Sequence, residues 1–105
     1  MMRLTAVVAL FPDLPETEVL AWVDRGWVRA RPTGDEWEFQ DIDVARVRLI
    51  RDLTHEMAVQ EETMPLVLSL LDQVYALRGQ IRAVARAVEA QDEAVRAAIL
   101  SAMRG

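Results

Sequence analysis

Through the first 60 positions the apolar residues fall in short, interrupted blocks; after that they settle into one regular spacing that runs to the C-terminus. Residues 6–10 form an apolar helix that Thr5 can cap and Pro12 ends, because proline cannot continue a helix and restrains the residue before it. A second helix is expected from Pro15, a good first-turn residue. Glu16 and Glu18 suit the positive end of its dipole, and Val19, Leu20, Trp22 and Val23 supply an apolar face up to Gly26. Two short helices this close in sequence suggest a helix-turn-helix. Residues 27–31 and 36–39 then alternate in the manner of strands on either side of Pro32-Thr33-Gly34-Asp35, which predicts a hairpin. Trp37 and Phe39 lie two apart and share a face. A two-stranded ribbon is not stable alone, so these aromatics are expected to pack on the helices.

Asp41 or Asp43 can cap a third helix, whose Ile42, Ala45, Leu49, Leu53 and Met57 repeat at three or four residues, with Val47 and Ile50 widening the stripe. Glu61, Glu62 and Thr63 open a last helix in which Pro65 must sit in the first turn, where its missing N–H has no partner to lose. No helix breaker follows it. Gly79 is the one weak position, costing about 1 kcal/mol relative to alanine. In this helix Val67, Leu70, Val74, Leu77, Ile81, Val84, Val88, Gln91, Val95, Ala98 and Ala102 alternate steps of three and four. With Val67 as position a, five successive heptads carry a β-branched residue at a, a pattern associated with two-stranded pairing. A continuous helix over 61–105 would be roughly 60 Å long. A head of 60 residues cannot cover it, so a homodimer seam through Val67, Leu70, Val74, Leu77, Ile81, Val84, Val88 and Val95 is expected. Whether the pairing is parallel or antiparallel is not encoded in the spacing. The organisation read is a head over residues 1–60 and a coiled-coil helix over 61–105, in one structural unit.

Composition narrows the functions open to such a chain. At 105 residues, 52% hydrophobic and 28% charged, it has the make-up of one globular domain with no room for a separate catalytic partner. Cysteine is absent, which removes disulfides, thiolate metal sites and thiol nucleophiles together. The only histidine, His55, has Glu56 beside it but no second histidine to complete a metal site, and reads as a surface or satisfied side chain. The two serines, Ser69 and Ser101, sit inside the heptad helix without a base at a useful spacing. No enzyme, catalytic residue, metal or cofactor is therefore expected. No apolar run approaches the roughly 18 residues needed to span a bilayer. The N-terminus lacks the small-residue cleavage site of a secretory signal, and the expected location is cytoplasmic.

The net charge is −5 and all twelve basic residues are arginine, a balance that disfavours a general phosphate binder and fits a partner with a basic face. If the second helix were to read a DNA major groove, Glu16, Glu18 and Asp24 would stand where arginine, lysine or asparagine is needed. Only Arg25, Arg29 and Arg31 are placed to reach a backbone. They are equally read as a solvated hairpin edge paired with Asp24, Asp35 or Glu36. The three tryptophans read mainly as the core joining hairpin to helices, with Trp27, beside the glycine turn, expected to be partly exposed.

The order of elements is similar to the MerR-type winged-helix architecture with its coiled-coil dimerisation helix. In detail, Glu18-Val19-Leu20-Ala21-Trp22-Val23-Asp24-Arg25-Gly26-Trp27-Val28, Trp37-Glu38-Phe39, Asp43-Val44-Ala45-Arg46-Val47-Arg48-Leu49-Ile50-Arg51-Asp52-Leu53 and Leu66-Val67-Leu68-Ser69-Leu70-Leu71-Asp72-Gln73-Val74 resemble the CbpM-type chaperone-modulator family. The resemblance covers residues 4–85; past Val84 the alanine-rich tail departs from it. It implies a mainly α fold: a winged helix-turn-helix head with a small two-stranded hairpin, then a long dimerisation helix. It further implies a cytoplasmic, non-catalytic regulator that binds the J-domain of a DnaJ-type co-chaperone related to curved-DNA-binding protein A. Covering the positively charged J-domain helix would block stimulation of Hsp70. On that reading the partner surface combines acids of the head with Met64, Leu68, Leu71, Asp72 and Tyr75. Several of these lie off the seam yet are apolar, a pattern that equally suits packing on the third helix. The alternative function is that of a MerR-like DNA-binding transcriptional regulator.

Overall fold

The computed structural model describes all residues, Met1–Gly105. It divides into two compact units, Met1–Leu66 and Val67–Gly105. The first unit holds strand β1 (Met2–Arg3), helices α1 (Leu4–Ala9) and α2 (Glu16–Asp24), strands β2 (Arg31–Thr33) and β3 (Glu36–Phe39), and helix α3 (Asp41–Arg51). A π-helical turn, Asp52–Glu56, continues α3. Helix α4 (Met64–Glu89) starts at the end of this unit, and α5 (Glu93–Arg104) closes the chain.

α1 starts one residue before Thr5, with Arg3 at its N-cap, so Thr5 lies inside the helix and caps nothing. Its end tightens through bonds from the Leu10 and Phe11 N–H groups to the carbonyls of Val7 and Val8 before Pro12 stops it. Pro15 is the N-cap of α2 rather than part of its first turn, with Glu16 and Glu18 following in that turn. α2 ends in a Schellman motif: Gly26 takes φ +76° and donates to Val23, while Trp27 N–H reaches back to the Trp22 carbonyl at 2.9 Å.

The sheet has three strands, not two, in the order β1-β3-β2, all antiparallel. β1 was not legible because a two-residue strand carries no period. β2 is shorter and later than the expected 27–31 strand. Trp27 and Val28 precede it, and Pro32 and Thr33 belong to the strand rather than to the turn. The turn itself is Gly34-Asp35, with Gly34 at φ +62°. A positive φ at the first of two central residues fits the type II′ hairpin matched to strand twist. Pro32 is tolerated because β2 is an edge strand.

Neither Asp41 nor Asp43 is the N-cap of α3; that residue is Gln40, and the buried carboxylate of Asp43 accepts its backbone N–H at 2.9 Å. The buried face of α3 is Asp43, Val47 and Ile50, continued by Leu53 in the π-turn, while Ile42, at 74% exposure, and Ala45 face solvent. The stripe anticipated for this helix is thus rotated: Val47 and Ile50 are its centre, not its margin. α1 and α3 both pack on β3, and α1 also packs on α2. Phe39, Val7, Val19, Trp22, Val28, Val47, Ile50 and Met64 are buried in this unit. Past the π-turn the chain caps itself with Ala58 in the left-handed region, φ 54°, and Val59 N–H bonded to the Leu53 carbonyl.

α4 keeps Pro65 in its first turn as expected, but the helix does not run unbroken to the C-terminus. It stops at Glu89; Asp92, with φ −66° and ψ 164°, then caps α5 by accepting the Val95 N–H at 2.9 Å. An Asp three residues before a free amide is a strong start signal, and here it outweighs continuation through Ala90 and Gln91. α5 has no buried residue.

Candidate macromolecular interface

The head is built so that most of its cations are already engaged. Arg3 pairs with Glu36 at 2.9 Å. The Arg25 guanidinium pairs with Glu61 and lies 5.1 Å from the centre of the Trp27 ring. Arg46 Nε donates to the Trp27 carbonyl at 3.0 Å, fastening α3 to the segment that leads into β2. Arg48 covers the ring of Phe11 at 5.1 Å. Arg51 holds Asp13 with two nearly parallel bonds, Nε to Oδ1 at 2.8 Å and Nη2 to Oδ2 at 3.0 Å. Arg29 and Arg31 are left exposed beside the wing. The pairing expected for the three wing arginines is therefore not what forms: Arg25 pairs with Glu61, and Glu36 pairs with Arg3.

α2 presents a different chemistry. Glu16, Thr17 and Asp24 are exposed, and no basic residue lies within the helix. A groove lined with phosphates would meet carboxylates there, and their like-sign repulsion opposes docking. Trp22 is buried, whereas Trp27 and Trp37 are each half-buried, so Trp27 is partly exposed as its place by the glycine turn suggests.

A third feature of the head is an ionic cluster that spacing alone does not reveal. His55 Nε2 lies 2.6 Å from Glu18 Oε1 on α2, and its Nδ1 lies 3.6 Å from Asp13 Oδ2 in the loop before α2. The hydrogen bond to Glu18, reinforced by the charges of Glu18 and Asp13, raises the His55 pKa above its usual value against the opposing effect of burial. Arg51, through its hydrogen bonds, lowers the Asp13 pKa, and Asp13 raises that of Arg51. The satisfied histidine of the sequence reading is thus satisfied from across the fold rather than by its neighbour Glu56. No group of three His, Cys, Asp or Glu side chains is arranged to hold a metal ion.

Along α4 the expected seam residues stand in a solvent-facing row. Leu70, Val74, Leu77, Ile81 and Val84 are exposed, the last two at 67% and 63%, and Val67 and Val88 are half-buried. Val95 is also exposed but belongs to α5, beyond the break. Of the five residues expected to meet a partner, Leu71 is half-buried and Asp72 and Tyr75 are exposed. Met64 and Leu68 are buried, at 0% and 3% exposure, and have no surface to offer. They lie four apart, on one face of the helix, where a core contact and a partner contact have the same sequence pattern. No helix is long and apolar enough to cross a membrane.

A family model described as MerR HTH family regulatory protein matches residues 7–86. The match begins in α1 and ends three residues before the end of α4, so the break and α5 lie outside it. No curated protein and no solved structure matches the chain.

Proposed function

This chain belongs to the MerR helix-turn-helix family of regulatory proteins, and from that premise we propose that it regulates by binding a protein rather than by reading DNA. Its partner is the J-domain of a DnaJ-type co-chaperone, whose stimulation of Hsp70 it obstructs. The observation that carries this reading is the surface of α2: the helix a DNA-binding member would lay in the major groove exposes Glu16 and Asp24 and carries no cation. Four head arginines, Arg3, Arg25, Arg46 and Arg51, are bound to partners within the fold, which reinforces it. An acidic helix suits a positively charged J-domain helix. The resemblance of residues 18–28, 43–53 and 66–74 to CbpM-type modulators names that partner. The seam on α4 is assigned to homodimerisation, and the place of action to the cytoplasm.

One observation favours a second reading. Arg29, just before the hairpin, and Arg31, in its first strand, stand exposed where a wing of a DNA-binding regulator would touch phosphates. Titration calorimetry of the protein against the J-domain, beside a mixed-sequence duplex DNA at moderate salt, separates the two. Saturable J-domain binding without DNA heat supports the modulator. Salt-sensitive DNA binding without a J-domain signal overturns it.

A further inference from the structure

His55 is the only histidine of the chain, yet it is set between carboxylates from two separate segments, the loop before α2 and α2 itself. The π-turn puts it there. Met57 N–H bonds to the Asp52 carbonyl, five residues back, so the backbone winds wider than an α-helix just where His55 leaves it. A neutral imidazole can hydrogen-bond Glu18 but has no charge to offer either carboxylate; the imidazolium donates to Glu18 and pairs by charge with Asp13 at 3.6 Å. Asp13 cannot easily swing away, because Arg51 holds both of its oxygens.

We propose that His55 is the pin of a pH-sensitive clasp that fastens α2 to the end of α3, closed when the imidazole is charged and slackened when it is neutral. The groups set against the pin are Asp13 from the loop and Glu18 from α2; on its own segment Arg51 joins the cluster through Asp13 and also pairs with Asp52 and Glu56. The one cation among them, Arg51, is occupied by Asp13 and Asp52, with Glu56 at 3.8 Å, which blunts its repulsion of the imidazolium. The raised His55 pKa accords with this geometry. The folded-state value lies above the unfolded one of about 6.5, so the clasp's contribution is complete below about pH 6.5 and is lost as pH rises through the folded value. Since α2 carries the exposed acidic face, the clasp makes the presentation of that face depend on the charge of His55. The inference does not rest on which partner α2 meets.

A lone histidine gives a single imidazole signal, so its NMR titration is unambiguous. In the wild type it should titrate above 6.5, and in Glu18→Gln the value should fall toward 6.5. In hydrogen exchange corrected for intrinsic rates, the protection of α2 amides should drop as pH rises through the measured His55 pKa in the wild type but stay flat in His55→Gln. A wild-type titration at or below 6.5, or one that Glu18→Gln leaves in place, overturns the proposal. If His55→Gln does not fold, the wild-type exchange profile decides it: α2 protection that stays flat as pH rises through the measured His55 pKa overturns the proposal.

Discussion

Two residues hold the same left-handed backbone with opposite fitness for it. Gly26, at φ +76°, has nothing within 4 Å of where a Cβ would stand, so an alanine there meets backbone strain alone. Ala58, at φ 54°, already carries that strain at the end of the π-turn. Left-handed backbone costs a residue with a Cβ roughly 1–2 kcal/mol. Gly26→Ala should therefore destabilise the protein by about 1 kcal/mol, while Ala58→Gly should stabilise it by about 0.5 kcal/mol once the looser unfolded chain is subtracted. Urea unfolding followed by tryptophan fluorescence reads both. Equal signs for the two substitutions would show that the caps are not controlled by the left-handed position. Gly26 was legible because a glycine after an apolar helical face is a stop signal. Ala58 was not, since alanine gives no hint of the conformation it is forced to adopt. The His55 cluster was hidden for a related reason: its partners, Asp13 and Glu18, lie 37 or more residues away in sequence.

At the level of elements, the helix order, the hairpin and the start of the long helix were all written in breakers and caps: Pro12, Pro15, Gly26, Gly34 and Pro65. Phase was harder to read. α3 is apolar at Ile42, Val44, Ala45, Val47, Leu49 and Ile50, so two rotations of the helix offer comparable stripes. Only the sheet, by packing against α3, selects Val47 and Ile50. Ile50→Ala should accordingly cost about 2–4 kcal/mol through lost burial and a cavity, whereas Ile42→Ala, on the solvent side, should stay within about 0.5 kcal/mol of wild type. Chemical denaturation of the two variants tests the rotation directly, and comparable losses would restore the rotated stripe. The break before α5 shows the same limit from another side. The heptad passes through Gln91 without changing phase, but a heptad reports what faces a partner, not whether the backbone stays helical. The cap at Asp92 is a local signal that the longer pattern masked.

For the whole molecule the decisive quantity is the unpaired apolar row on α4. Ile81 and Val84 are among its most exposed members, and Leu77 is 56% exposed. Left in water, such a row gains nothing; closed against a second copy it removes its side chains from solvent at about 25 cal/mol per Å². Ile81 lies at an a position in the middle of the row. Aspartate there puts a charge from each chain into the seam, at a position 67% exposed in the single chain. Ile81→Asp should leave the urea midpoint of the head unchanged within about 0.5 kcal/mol. It should also convert a dimer into a monomer in sedimentation equilibrium at micromolar concentration. A wild type that sediments as a monomer across that range would reassign the row to another protein. In that case the same substitution should instead weaken J-domain binding in the calorimeter, because the row would then be part of the partner-binding surface.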